Sequence, residues 1–241
     1  MTDLPVGGVT VDLDDTLFPQ ELWLSGAWRD VADRASALGL DGGRLLPELI
    51  RVAALGSDRG GIIDRALVAI DARPDLFVAP LVETFGAHRP HRLVGYPGAL
   101  EALDRLRSQL PVVVVTDGAP AVQRSKLAAL GLSGIPVVLS DELGGRHLRK
   151  PDPAPFRAAL GLLGTSAAET VHVGDRPAKD VVGARGAGMR CIRVRTGEYA
   201  GHECSGTGMP WHESSTFVAA VAHLLTMGGL PREHGRPPAR L

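Results

Sequence analysis

Residues 9–17, Val-Thr-Val-Asp-Leu-Asp-Asp-Thr-Leu, decide the fold of this chain. Val9 and Val11 are β-branched and indicate a buried strand, which ends in carboxylates at positions 12, 14 and 15. Because a strand buried on both faces does not accommodate unpaired charges, the carboxylates belong where the strand meets solvent. In open α/β sheets that edge binds ligands, and paired carboxylates favour a hard cation such as Mg²⁺. Taken alone, the segment also fits a strand followed by an Asp-rich turn or a helix N-cap.

The composition is that of an ordinary globular protein. The chain has 241 residues, of which 44% are hydrophobic and 22% charged, and its net formal charge is −1. This near-neutral charge does not indicate a basic surface of the kind that binds nucleic acid or an anionic membrane. Cys191 and Cys204 are too few for a disulfide framework, and no signal-peptide or membrane-spanning pattern is found. We therefore expect a cytoplasmic protein with free thiols and without nucleic-acid or membrane partners; its oligomeric state is left open.

Hydrophobic periodicity divides the chain into four segments. Residues 1–17 carry the first strand, and residues 18–94 contain helical patterns without a strand pattern. From 95 to 227, β-branched runs alternate with amphipathic helices, and the stretch 197–213 is expected to be irregular. Residues 228–241, rich in Pro, Gly and Arg, are predicted to be a flexible tail. The predicted fold class is α/β: a Rossmann-like parallel sheet core flanked by helices, with an all-helical cap domain inserted after the first strand.

Two further polar segments lie near the ends of predicted strands. Thr116 and Asp117 follow the apolar run 112–115, where a hydroxyl and backbone N–H groups would form a cradle for an oxyanion. Taken alone, that segment is more typical of a plain turn. Lys150 precedes Pro151, which stiffens the backbone, so its ammonium could act as a fixed charge for a phosphate. Taken alone, Lys150 could also be an ordinary lysine on a solvated surface loop.

The last polar segment follows the predicted strand 170–173. Gly174 and Asp175 come directly after it, and Asp180 lies about one turn into the next helix. Taken alone, Asp175 could be an N-cap and Asp180 a charge on the helix surface. The order of all four segments, each after a predicted strand of one sheet, is far more specific than any of them separately.

In combination these segments resemble the haloacid dehalogenase superfamily, in its phosphatase type with a helical cap inserted after the first strand. The resemblance covers residues 9 to about 195 and is strong in the core but only architectural in the cap. It is carried by four motifs: Asp12-x-Asp14-x-Thr16, Thr116, Lys150-Pro151 and Gly174-Asp175-x₄-Asp180.

The resemblance implies a Mg²⁺-dependent phosphomonoester hydrolase. Asp12 would be the nucleophile that forms an aspartyl-phosphate, and Asp14 the general acid for the leaving alcohol and then the general base for water. Thr116, Asp117 and Lys150 would bind the phosphate. The substrate would be a small phosphorylated metabolite, because a cap would cover the site.

The resemblance also implies a metal site and its support. The Mg²⁺ ligands would be Asp12, Asp175 and the backbone carbonyl of Asp14. Thr16 and Gly174 would support the site, and Asp180 would support the metal shell or orient Lys150.

Several alternatives stay open. Asp14 argues against carbon–halogen cleavage, whose enzymes in this superfamily generally lack that acid, and residues 18–94 contain no lysine of the kind phosphonate-cleaving relatives use. A phosphomutase, or a catalytically idle binding or regulatory protein on the same fold, remains possible.

Other side chains are weaker candidates. Phe18, Gln20 and Trp23 are possible substrate contacts, although packing within the cap would also explain them. His202, Cys204 and His212 suggest zinc, but their spacing fits no common structural site and a fourth ligand is missing.

Overall fold

The structure is a computed structural model that describes residues 5–227. The predicted tail, 228–241, lies outside the described residues. The chain folds into two compact units. The sheet unit comprises residues up to Phe18, Gly95–Asp117 and the residues from Gly134 onward, and the helical unit comprises Pro19–Val94 and Gly118–Ser133.

The sheet unit is built on six parallel strands in the order β3-β2-β1-β4-β5-β6. The strands are β1 (Gly8–Val11), β2 (Val112–Thr116), β3 (Val137–Leu139), β4 (Thr170–Gly174), β5 (Arg190–Val194) and β6 (His212–Ser214). Every residue of β1, β2 and β4 is buried, as expected for central strands covered by helices on both faces. The predicted α/β class with a parallel, Rossmann-like sheet is therefore confirmed.

The α-helices follow the predicted periodicity. They are α1 (Gln20–Ala37), α2 (Gly42–Ala53), α3 (Ile62–Ala69), α4 (Pro74–Ala87), α5 (Ala99–Arg107), α6 (Pro120–Ala129), α7 (Ala154–Leu163), α8 (Val182–Gly186) and α9 (Phe217–Met227). A π-helical turn, Pro177–Val181, leads directly into α8. Within residues 5–227, no helix combines the length and the apolar character that crossing a bilayer requires.

The helical unit has an apolar core of its own. Trp28, Leu45, Leu49, Leu67 and Leu81 pack together and are at most 3% exposed. The described backbone from 19 to 94 consists of helices and their connections, as the periodicity predicted. That this unit acts as a cap stays a prediction.

Two segments differ from the sequence-based expectation. The stretch 197–213, expected to be irregular, contains the start of β6, a three-residue strand too short and polar to give an alternating pattern. Helix α6, which the sequence predicts to be part of the sheet core, belongs to the helical unit. There the N–H of Leu93 donates to the carbonyl of Ala129 at 2.9 Å, and the Lys126 ammonium lies 4.6 Å from the ring centre of Trp23.

Candidate active site

The order of the strands brings the polar segments to one edge of the sheet. Strand β1 lies between β2 and β4, so Asp12, Thr116 and Asp175 occupy neighbouring positions at the ends of three adjacent strands. The N–H of Asp12 donates to the carbonyl of Val173 at 2.9 Å, which fixes the end of β1 against β4. We call this edge of the sheet, together with the loops that follow its strands, the carboxyl edge.

Lys150 is buried at the carboxyl edge, where only 4% of the residue is exposed. Its Nζ donates to Asp12 Oδ1 at 2.5 Å, to Asp180 Oδ1 at 2.7 Å and to the carbonyl of Val115 at 3.3 Å. The Lys150 backbone N–H donates to Asp117 Oδ1 at 3.1 Å, which holds its loop against the end of β2. The interpretation of Lys150 as a solvated loop lysine is therefore wrong, because its ammonium pairs with two buried carboxylates.

Asp180 is fully buried and accepts hydrogen bonds at both carboxylate oxygens. Oδ1 faces Lys150 and also lies 3.1 Å from Nε2 of His172, while Oδ2 accepts from the backbone N–H of Arg176 at 2.9 Å. Burial acts to raise the pKa of Asp180, but the Lys150 ammonium and the His172 hydrogen bond outweigh it, so the pKa is lowered. Asp180 is thus an ionised side chain paired with Lys150, and its role in orienting Lys150 stays a prediction.

Gly174 is the residue that admits Asp180 to the site. A Cβ atom at position 174 would overlap Cγ of Asp180, at a separation that real Cβ contacts do not show. The predicted supporting role of Gly174 therefore has a concrete steric reason.

Asp175 differs from Asp180 because its buried carboxylate accepts no hydrogen bond from the described residues. Only 1% of the residue is exposed, and neither oxygen has a hydrogen-bond partner among the described residues. Burial, and then the charges of Asp180, Asp12 and Asp15, raise the pKa of Asp175 well above its usual range. Burial likewise raises the pKa of Asp12 to about 7, although Lys150 opposes the shift. The site therefore holds more carboxyl groups than the single ammonium of Lys150 can balance when they are all ionised.

This excess of carboxylate oxygen fits a divalent cation. Carboxylate oxygens of Asp12, Asp175 and Asp180 all lie within 4.8 Å of one another. Both oxygens of Asp180 already accept hydrogen bonds, so Asp12 and Asp175 are the better placed ligands. Hard oxygen donors of this kind suit Mg²⁺. The backbone carbonyl of Asp14 as a further ligand stays a prediction.

The remaining predicted site residues lie on the same loops. Asp14 is half-buried, and its backbone forms an isolated β-bridge with Phe18. Thr16 is buried, and its hydroxyl has no hydrogen-bond partner among the described residues. Thr116 is buried at the end of β2. The Asp117 carboxylate lies 3.5 Å from Nζ of Lys179, besides its contact with Lys150, so a role in phosphate binding falls to its backbone N–H.

The three predicted substrate contacts divide between the two units. Phe18 belongs to the sheet unit and is fully buried. Trp23 is buried in the helical unit, where its ring packs edge-on against Phe85 and His88. Gln20 is half-buried at the start of α1. Packing accounts for Phe18 and Trp23 as the structure places them, and substrate contact stays a prediction for all three.

Sequence reasoning missed Asp15, the third carboxylate of the first motif. Its carbonyl accepts from the Thr196 hydroxyl at 2.5 Å, and its Oδ2 accepts from the N–H of Glu198 at 3.1 Å. Its carboxylate is hydrogen-bonded to Tyr96, and together with burial it raises the pKa of that hydroxyl. Gly197 packs so closely that a Cβ there would overlap Cγ of Asp15. Asp15 therefore joins the turn after β1 to the loop after β5.

The residues that suggested zinc make other contacts. The Arg193 guanidinium donates to Cys204 Sγ at 3.0 Å and to Glu213 Oε1 at 2.9 Å. Within residues 5–227, the His, Cys, Asp and Glu side chains close enough together to hold a metal ion are those of the carboxyl edge.

Comparison with known proteins agrees with this geometry. The model of the haloacid dehalogenase-like hydrolase family matches residues 6–188. A glyceraldehyde 3-phosphate phosphatase from Methanopyrus kandleri is 34% identical over 203 residues, which cover 80% of this chain and 86% of that protein. A phosphoserine phosphatase from Thermus thermophilus is 41% identical over 120 residues, covering 48% of this chain and 47% of that protein.

A solved structure points to the same family. The crystal structure of a 2-haloacid dehalogenase from Pseudomonas syringae pv. Tomato superposes with a TM-score of 0.62 at 25% identity, covering 92% of this chain and 98% of that one. The chain belongs to the haloacid dehalogenase-like hydrolase family.

Proposed function

We propose that this chain is a Mg²⁺-dependent phosphatase that hydrolyses a small phosphorylated metabolite through an aspartyl-phosphate intermediate. One observation carries the proposal: Asp12 is hydrogen-bonded to the buried ammonium of Lys150 and lies beside the unpartnered carboxylate of Asp175. This arrangement combines a nucleophile, a fixed positive charge and cation ligands at one edge of the sheet.

The proposed cation would be held by Asp12 and Asp175. When bound, it would supply positive charge that offsets the repulsion between a carboxylate and a phosphate dianion. It would also favour the ionised form of both carboxylates, whose pKa values burial raises.

In the first proposed step, a carboxylate oxygen of Asp12 attacks phosphorus. The new O–P bond forms while the bond from phosphorus to the leaving alcohol breaks, and Asp14 gives its proton to the departing oxygen. Lys150, held by Asp180, fixes the orientation of the Asp12 carboxylate during the attack. The backbone N–H of Asp117 and the hydroxyl of Thr116 lie at the end of β2, where they would bind phosphoryl oxygens.

In the second proposed step, Asp14 removes a proton from water, and the resulting nucleophile attacks phosphorus. The Asp12–phosphorus bond breaks, so inorganic phosphate leaves and the Asp12 carboxylate is regenerated. The same residue thus serves as acid and then as base, which returns the site to its starting protonation state.

The relatives narrow the proposed substrate. Their names assign them glyceraldehyde 3-phosphate and phosphoserine, which are both small phosphate monoesters. We extend that chemical class to this chain. A cytoplasmic setting and the expected lack of nucleic-acid and membrane partners stay predictions.

Two other activities give different products. A dehalogenase would release halide from a haloacid, in keeping with the structural similarity to the Pseudomonas enzyme. A phosphomutase would return the phosphoryl group to the sugar phosphate. Asp14 favours phosphate esters, because an alcohol leaving group needs a proton whereas a halide does not.

A product assay tests the proposal. The full chain is incubated with Mg²⁺ and a panel that includes glyceraldehyde 3-phosphate, phosphoserine, a hexose phosphate and a 2-haloacid. We expect phosphate release from at least one small monoester and loss of that release when EDTA is added. Halide release without phosphate release, or an isomerised sugar phosphate, would contradict the proposal.

A further inference from the structure

Two polar side chains are buried inside the sheet behind the site. Thr10 lies on β1 and His172 on β4, and the two residues are direct neighbours in the parallel register. Both are fully buried. Because burying polar groups in a sheet core is costly unless they are hydrogen-bonded, this pair calls for an account of its partners.

Thr10 and His172 belong to a chain of hydrogen bonds that leads to Asp12, the proposed nucleophile. The Thr10 hydroxyl lies 2.9 Å from Nδ1 of His172, and Nε2 of the same ring lies 3.1 Å from Asp180 Oδ1. That oxygen accepts from Lys150 at 2.7 Å, and Lys150 donates to Asp12. The ring of Phe156 packs edge-on against His172 at 5.0 Å and restrains its orientation.

The position of each proton in this chain of hydrogen bonds follows from its acceptors. The ionised carboxylate of Asp180 has no proton to give, so Nε2 of His172 must be the donor in their contact. Burial lowers the pKa of His172, which favours the neutral ring with a single N–H. Its Nδ1 is therefore an acceptor, and the Thr10 hydroxyl must donate to it.

We propose that His172 is a positioning residue for Asp180 and that the Thr10 hydroxyl fixes the orientation of its ring. The Thr10 hydroxyl donates to Nδ1, the Nε2–H of the ring holds Asp180, and Asp180 aims the Lys150 ammonium at Asp12. The activity part of this inference rests on the proposed function, whereas the hydrogen bonds of the ring can be measured without it.

The competing account is that Thr10 and His172 are only satisfied core residues. The two accounts differ for Thr10→Val, which keeps the β-branched shape and removes only the hydroxyl. If the hydroxyl fixes the ring, its loss loosens the hydrogen bond from Nε2 of His172 to Asp180 and lowers turnover. If the hydroxyl only contributes stability, the contact between the ring and Asp180 and the reaction should be unaffected in the molecules that remain folded.

The chain offers a matched control on the same strand. Thr170 is also fully buried on β4, and its hydroxyl bonds to the carbonyl of Ser166 and to Thr165, both at 2.8 Å. Thr170→Val removes a buried hydroxyl that has no part in the hydrogen bonds that lead to Asp180. Thr10→Ser restores the donor and serves as the conservative rescue.

The first readout is ¹⁵N NMR of the histidine rings in the full chain, with the His172 signals assigned by their loss in His172→Gln. We expect the ring to carry its proton on Nε2 in the wild type and in all three threonine variants, and we expect the ring nitrogen signals to shift in Thr10→Val alone, because only that variant loses the donor to Nδ1. A wild-type ring protonated on Nδ1, or ring signals in Thr10→Val identical to wild type, would overturn the inference.

The second readout is steady-state phosphate release, with kcat normalised to the folded fraction. We expect Thr10→Val and His172→Gln to lower kcat on the order of tenfold with little change in KM, because they disturb a residue that acts through Asp180 and Lys150. Thr10→Ser and Thr170→Val should stay close to wild type. Equal losses in Thr10→Val and Thr170→Val would overturn the positioning role.

The two proposals fail in different ways. If the wild type releases no phosphate, the proposed function fails, and the ring measurement still decides whether the Thr10 hydroxyl donates to Nδ1 of His172. If phosphate is released but Thr10→Val changes neither the ring nor kcat, the positioning role fails and the proposed function stands.

Discussion

The two units of this chain bury their polar side chains in different ways. The helical unit is filled with apolar side chains, and Lys126 is the buried charged residue among its described positions. The sheet unit gathers buried charges at the carboxyl edge: Asp12, Asp15, Lys150, Asp175 and Asp180. Burying this much charge costs stability, and such costs cluster at functional sites. We therefore expect the chemistry to take place in the sheet unit.

The largest expected effect is that of Asp12→Asn. An amide is a poor nucleophile, so we expect kcat to fall at least about 10³-fold, while the isosteric side chain leaves the fold intact. Phosphate release and thermal unfolding would be measured together. Asp104→Asn, which changes an exposed carboxylate on α5, is the control and should match wild type. Turnover by Asp12→Asn within tenfold of wild type would show that another group attacks phosphorus.

The buried lysines Lys150 and Lys126 allow the sheet unit to be compared with the helical unit. Lys150→Met leaves Asp12 and Asp180 without their shared ammonium, so we expect a loss of about 3–5 kcal/mol in unfolding free energy and no measurable turnover. Lys126→Met removes a contact with the Trp23 ring and should cost about 0.5–2 kcal/mol. Chemical denaturation of both variants measures the difference. Equal costs would mean that the charges of the carboxyl edge are not specially coupled.

Much of this arrangement is readable from the sequence. The β-branched runs of β1 and β2 predict central strands, and the order of the four motifs predicts one edge because parallel strands end together. Apolar periodicity likewise predicts the helices of residues 18–94, since each buries one face.

What the sequence did not reveal depends on contacts between distant residues. Asp15 and Glu198 are 183 positions apart, and no local pattern signals their hydrogen bond. His172 lies within an apolar strand, so its link to Asp180 becomes visible only when the π-helical turn is placed. Strand β6 has three residues and lies at the edge of the described sheet beside β5, which leaves too little periodicity to detect.

The contact between Asp15 and Gly197 can be tested with a pair of glycines. Gly197 has φ +64° and would clash with Asp15 if it gained a Cβ, whereas Gly206 has φ +54° and no atom within 4 Å of that position. Each Gly→Ala change should cost about 1–2 kcal/mol for the left-handed backbone. We expect Gly197→Ala to cost about 1–3 kcal/mol more, measured by chemical denaturation. Equal costs would rule out tight packing against Asp15.

The smallest expected effect in the cation-free protein belongs to Asp175→Asn. This change removes a buried carboxyl group whose raised pKa disfavours the folded state at neutral pH, so we expect a gain of about 1 kcal/mol in unfolding free energy when EDTA is present. Activity should be lost at the same time, because the proposed cation loses a ligand. A destabilised variant would mean that the Asp175 carboxylate has a favourable role within the cation-free fold.

The most direct test of the account is a Mg²⁺ titration of thermal unfolding for the wild type and Asp175→Asn. A ligand that binds the folded state at one hundred times its Kd stabilises that state by about 2.7 kcal/mol. We predict a gain of this size for the wild type and almost none for the variant. An equal gain in both proteins would show that Mg²⁺ binds elsewhere, and would contradict the assignment of the carboxyl edge as the cation site.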